Sequence, residues 1–223
     1  MRKAELAKMI DHTLLGPTAS TAGVKKLCQE AKKDAFASVC VNPCHAALAH
    51  NLLEGTTVKV CVVIGFPHGM TTGEVKAFEA QKAVAVGAEE LDMVINVAAL
   101  KEGNYETVLD DIRAVCAVAE KAPHPVLVKV ILETALLEDE EKRAGAILTK
   151  AGGADFVKTS TGFGPGGATV ADVSLLRQAV GAAMGVKAAG GIHDYETALA
   201  LIEAGATRLG ASRSRVILDG APE

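Results

Sequence analysis

Five charged residues sit inside short runs of otherwise apolar, largely β-branched sequence. They are Asp11 in MIDHT (9–13), Asp92 in ELDMVI (90–95), Lys129 in VLVKVI (126–131), Lys158 in DFVKT (155–159) and Lys187 in VKAAG (186–190). Withdrawing a charge from water is costly unless it is paired. The plain explanation is a set of structural ion pairs, such as Lys129 with Asp92, or Asp11 with a neighbouring lysine. For any one residue that suffices. For three lysines and two aspartates on five separate runs it weakens, because perturbed titratable groups gather where chemistry is done. A lysine with its ordinary pKa of about 10.4 is almost wholly ammonium near neutrality, and an ammonium cannot attack a carbonyl. Burial and a second cation both disfavour the charged form. Lys187 close to Lys158 would therefore leave a fraction of one of them as free amine. Such an amine forms a carbinolamine and then an iminium with an aldehyde or ketone. The iminium withdraws electrons, so the adjacent carbon can lose a proton and become a nucleophilic enamine. Asp92 is the acid–base candidate for that proton traffic. This is the outline of a metal-independent aldolase. Periodicity leaves open which lysine is the nucleophile.

These residues need a scaffold that converges them. Three further runs, ASVCV (37–41), VKVCVVI (58–64) and TRLGA (207–211), bring the strand candidates to eight. Helical stretches such as 72–87 and 104–121 alternate with them. In the second, Val108, Ile112, Val115 and Val118/Ala119 recur at the spacing of one buried helix face. VGAEELD, AGGADFV and AGATRLG each place glycine before a strand, as helix C-caps do. Alternation of this kind predicts parallel strands with right-handed crossovers. Eight units over 223 residues predict one α/β domain spanning 1–223, a (β/α)8 TIM barrel preceded by a short N-terminal helix in MRKAELAKMI. An open doubly wound sheet is the rival. The five charges are expected at or near the C-terminal halves of their strands, where barrel strands converge on a catalytic mouth.

Glycine turns follow the last three strands: GFGPGGAT (162–169), GGIHD (190–194) and LGAS (209–212). Helix N-termini and close backbone approach suit phosphate, and barrels often bind it after strands 7 and 8; ordinary steric turns are the alternative. Gly162, Gly164 and Gly167 satisfy G-x-G-x-x-G, but the acidic residue a dinucleotide site needs about 20 residues on is lacking, and Lys187 stands in that region. In CVNPCH (40–45), Cys40 reads as a strand-end residue lining the mouth rather than a zinc ligand, since no second ligand pair accompanies it. The histidines form no metal-binding pair. His68 lies in a loop capped by Thr71 or Thr72, and no G-x-S-x-G elbow is present.

Composition sets outer bounds. Hydrophobic residues make up 49% and aromatics 3%, so the core must be aliphatic. A net charge of 23 − 27 = −4 without a basic block argues against a nucleic-acid partner. No run reaches the roughly 18 apolar residues of a membrane span, and the N-terminus lacks a signal peptide's pattern. Five unpatterned cysteines suggest free thiols and a reducing, cytoplasmic setting.

Together DFVKTSTGF followed by GGAT, VKAAGGI, ELDMVINV, VKVILET and the opening IDHTLL resemble the deoxyribose-phosphate aldolase family, from about Asp11 to Ser212. The resemblance implies a (β/α)8 barrel and reversible cleavage of 2-deoxy-D-ribose 5-phosphate to D-glyceraldehyde 3-phosphate and acetaldehyde, with no cofactor and no metal. It implies that Lys158 is the Schiff-base lysine, Lys187 the lysine that tunes it and Asp92 the proton donor and acceptor. Asp11 and Lys129 match supporting polar positions. Gly162, Gly190, Gly191, Gly210 and Ser212 match the phosphate-side turns. A homo-oligomer, dimer or tetramer, is expected. His193 stands where many relatives have arginine, Arg213 where many have a second serine, and the tail DGAPE lacks a tyrosine. The alternatives are another lysine-dependent aldolase of phosphorylated sugars or keto acids, and a non-catalytic phosphosugar-binding barrel.

Overall fold

The computed structural model describes Met1–Glu223. Eight strands follow in chain order: β1 (Ile10–Leu14), β2 (Ser38–Val41), β3 (Lys59–Ile64), β4 (Glu90–Val94), β5 (Leu127–Ile131), β6 (Phe156–Lys158), β7 (Gly185–Ala189) and β8 (Arg208–Ala211). Each pairs in parallel with the next, and β1 pairs with β8, Asp11 opposite Gly210. The sheet is thus a closed barrel, and the open doubly wound alternative falls. The helices are α1 (Lys3–Ala7), α2 (Thr21–Asp34), α3 (Ala46–Leu53), α4 (Gly73–Ala85), α5 (Val97–Lys101), α6 (Tyr105–Glu120), α7 (Asp139–Ala151), α8 (Val170–Val180), α9 (Tyr195–Glu203) and α10 (Ser214–Asp219). No helix is long and apolar enough to cross a membrane.

Local chemistry explains the boundaries. Ser20, Thr72, Asn104, Thr169 and Asp194 each accept a backbone N–H from the first turn of the helix they precede, satisfying a donor the helix leaves open. Gly87, Gly153 and Gly205 adopt positive φ between a helix and the next strand, as their place in the sequence suggests. On α6, Val108, Ile112 and Val115 are buried on one face.

Strand alternation splits the barrel into two environments. Val39, Val41, Val60, Val62, Leu91, Met93, Val128, Val130, Val157 and Val186 join helix residues in one apolar cluster of 52 buried side chains. The core therefore lies between strands and helices. The other strand face points at the barrel axis, and there Asp11, Glu90, Asp92, Lys129, Lys158 and Lys187 are buried.

Those charges do not all stand in the C-terminal halves of their strands. Lys158 ends β6, but Asp92, Lys129 and Lys187 are each third of five, and Asp11 is second of five. Strand stagger is the reason: register sets Asp92 beside Lys129 and Lys158 beside Lys187, so residues at different strand positions share one layer.

Candidate active site

The lumen holds a continuous ion network. Asp92 is its centre. Its Oδ2 accepts from Lys158 and Lys187, each at 2.6 Å, and its Oδ1 from Lys129 at 2.8 Å and from the Cys61 thiol at 3.1 Å. Asp11 binds Lys187 through Oδ2, and its Oδ1 accepts from Ser38 at 2.7 Å and from Arg208 at 2.6 Å. Glu90 closes the lower end, 2.6 Å from Lys129 and 3.0 Å from Arg208. The five predicted charges are thus brought together. Glu90 and Arg208 are additions that the sequence reading does not single out, although each lies two residues before a named position, Asp92 or Gly210, on the same strand face.

Electrostatics follow from this arrangement. Burial penalises the Asp92 carboxylate, but Lys129, Lys158 and Lys187 outweigh burial and hold it well below the usual carboxylate range. Burial likewise opposes ionisation of Asp11, and Lys187, Lys129 and Arg208 prevail there. Burial would strip Lys187 of its proton, yet Asp11 and Asp92 reverse that and raise its pKa. Lys129 is raised in the same way, chiefly by Asp92. The expected mutual depression of two crowded lysines is therefore corrected for Lys187: two carboxylates straddle it and it stays an ammonium.

Only one of the three lysines reaches open space. Lys129 and Lys187 are 0% exposed, whereas Lys158, 3% exposed, forms part of the wall of a cavity of about 340 Å³. Gly162, Gly190, Gly191, Gly210 and Ser212 all line that cavity, as does His193, together with Thr13, Thr161 and Ala189. Gly162, Gly190 and Gly191 have φ of 84°, 85° and 76°, which a side chain would resist. Arg213 is exposed at the start of α10 and lies outside the lining. His68 borders an adjoining cavity with Met70, Glu133, Thr161 and Phe163. Glu133 and Thr161 are likewise not singled out by sequence; Glu133 has a left-handed backbone (φ 59°) that no spacing reveals.

Cys40 does not line the mouth. It is fully buried inside the barrel with Leu15, Cys61 and Val63, because its strand position points it at the Cys61 thiol. Cys40, Cys61 and Asp92 each offer a donor atom within 4.8 Å of the others. A divalent cation there would meet three ammonium groups already on Asp92, and the Coulomb repulsion opposes it.

Each buried charge here depends on its partners, so truncation is expensive. Arg208→Met is expected to destabilise the fold by about 3–5 kcal/mol, measured by urea unfolding, because Asp11 and Glu90 lose a shared cation. Acid has the same origin of effect. Asp11 and Asp92 have folded pKa values depressed below the unfolded value of about 3.9, so their stabilisation is full above that value and fades as pH falls below it. Unfolding free energy unchanged down to pH about 2 would remove these ion pairs from the stability account.

Comparison with known proteins agrees with this geometry. The family model for DeoC/LacD family aldolases matches residues 6–219. Deoxyribose-phosphate aldolase of Clostridium perfringens (strain 13 / Type A) is 56% identical over 99% of this chain and 97% of the relative. That of Thermoanaerobacter sp. (strain X514) is 57% identical over 96% of each. Among solved structures, one from Coccidioides immitis superposes with a TM-score of 0.93 at 43% identity, covering 98% of this chain and 86% of that one. The tetrameric deoxyribose phosphate aldolase of Aeropyrum pernix gives 0.91 at 35% identity, covering 97% and 91%. A lysine in the wall of a barrel cavity, backed by a carboxylate and a second ammonium, is thus found in a chain that belongs to the deoxyribose-phosphate aldolase (DeoC) family.

Proposed function

We propose that this chain carries out the reaction of its family, reversible cleavage of 2-deoxy-D-ribose 5-phosphate to D-glyceraldehyde 3-phosphate and acetaldehyde, through a Schiff base on Lys158. One observation carries the assignment of the nucleophile. Of the three lysines on Asp92, Lys158 alone faces the cavity, 2.6 Å from the Asp92 carboxylate. The amine of Lys158 adds to C1 of the open-chain aldehyde, and loss of water gives an iminium. The C3 hydroxyl loses its proton, the C2–C3 bond breaks and its electrons flow to the iminium. Glyceraldehyde 3-phosphate leaves and an enamine stays on the lysine. Protonation at C2 and hydrolysis release acetaldehyde. Asp92 takes and returns protons, and Lys187, hydrogen-bonded to the same oxygen, holds a fixed positive charge beside it. The glycine turns at 162, 190–191 and 210–212 receive the phosphate end, supported by their place in the same cavity wall as Lys158.

A keto-acid aldolase would need a cation for the substrate carboxylate. The lining offers no arginine, and its lysine is Lys158 itself, which supports an uncharged donor. The same proposal includes a homo-oligomer, dimer or tetramer, supported by the tetrameric Aeropyrum pernix relative, and a reducing compartment, supported by five free cysteines.

Acetaldehyde followed by borohydride tests the reading. Reduction of the iminium is expected to leave an ethyl group on Lys158 and on no other residue, located by peptide mass spectrometry. An ethyl group on Lys187, or none, would overturn it.

A further inference from the structure

Thr161 stands three residues beyond Lys158, between it and the glycine turn, and its hydroxyl is already engaged on two sides. The O–H donates to Glu133 Oε2, which also accepts the Thr161 N–H at 3.2 Å. The Thr161 Oγ1 accepts the Phe163 N–H at 3.0 Å. A hydroxyl has one proton and two lone pairs. The proton and one lone pair are used, so one lone pair is left for Thr161, which lines the cavity, to offer a bound molecule. Toward a bound molecule Thr161 is an acceptor and not a donor.

Glu133 is held in place to enforce this. Its backbone has φ 59° and ψ 62°, a conformation that costs a residue with a Cβ. The neighbouring backbone is pinned to the segment of the reactive lysine: Leu132 N–H donates to Lys158 O at 3.0 Å and Thr134 N–H to Thr159 O at 2.9 Å. The carboxylate is 4% exposed as a residue and is covered by the glycine turn; a Cβ at Gly164 would lie 2.7 Å from its Cδ. Its Oε1 has no partner, so the whole hydrogen-bonding effort of the group goes through Oε2 to Thr161.

We infer that Glu133 is a positioning residue for specificity: it fixes Thr161 as an acceptor facing the substrate, so the site favours an acceptor aldehyde bearing a free α-hydroxyl over one without it. A substrate hydroxyl at that point donates to Thr161. A chain with hydrogen there leaves the lone pair unmet, and unmet buried acceptors are penalised. This inference rests on the Schiff-base reading and deepens it.

The test compares D-glyceraldehyde 3-phosphate with 3-oxopropyl phosphate, each condensed with acetaldehyde, in wild type, Glu133→Gln, Glu133→Ala and Glu133→Gly. The readout is the ratio of kcat/KM for the two acceptors. Glu133→Ala is expected to lower the ratio about tenfold, worth about 1.4 kcal/mol, mainly through a higher KM for the hydroxylated acceptor. Glu133→Gly relieves the backbone strain and gives the same answer if the alanine variant folds poorly. Glu133→Gln keeps an oxygen for Thr161 and is expected to restore the ratio to within about twofold of wild type. If both acceptors slow in parallel with the ratio unchanged, Glu133 is structural and the inference is overturned. Absence of a borohydride-trapped ethyl adduct in wild type would instead overturn the Schiff-base reading, and this inference with it.

Discussion

Lys158→Leu is expected to reduce aldol cleavage to the solution background, a loss of at least about 10⁶-fold, while the protein stays folded. Both halves of that result follow from the geometry. Without the amine no covalent bond to the aldehyde forms, and no other lysine borders the cavity to replace it. Asp92 meanwhile keeps Lys129 and Lys187, so its charge remains compensated and the barrel is not left with an unpaired carboxylate. Borohydride and acetaldehyde should then leave the variant unlabelled, with a circular dichroism spectrum like that of wild type. Residual turnover that borohydride still quenches would place the nucleophile elsewhere.

Lys187→Leu is expected to act on rate, pH profile and stability together. Positioned proton-transfer groups contribute about 10²–10⁴-fold, and a loss in that range is expected. Asp92 Oδ2 would keep one ammonium partner in place of two and the site would lose a fixed positive charge, so the acidic limb of the pH–rate profile should move to higher pH. Asp11 and Asp92 would lose the cation they share through Lys187, and breaking a buried pair of this kind costs about 3–5 kcal/mol. The depression of Asp11 is owed first among its cations to Lys187, so the variant should also lose stability at neutral pH. An acidic limb that stays in place while the rate falls would reduce Lys187 to a packing role.

Much of this architecture is legible in the sequence alone, and for identifiable reasons. Eight apolar runs separated by amphipathic segments admit few topologies, and all eight form strands within a residue or two of the runs. Lys158 stands out because a strand that ends on lysine is unusual. What the sequence conceals depends on the closed register. Glu90 and Arg208 open their strands and look like solvent-facing edges until β8 meets β1 and sets Arg208 against Asp11 and Glu90. The sequence displays these charges but not that the aspartates of β1 and β4 stand on either side of Lys187, and so suggests a depressed pKa where the fold raises it. The same blindness to register puts Cys40 at the mouth, where the fold buries it beside Cys61. Glu133 depends on a single backbone angle, and no residue pattern announces it.

The shared oxygen of Asp92 also bears on what covalent attachment asks of the lumen. When the Lys158 ammonium becomes a substituted iminium, one cation replaces another at nearly the same point, and one N–H remains to face Oδ2. The exchange is electroneutral, so the interior enters its reactive state with its counterions already in position and has little to reorganise.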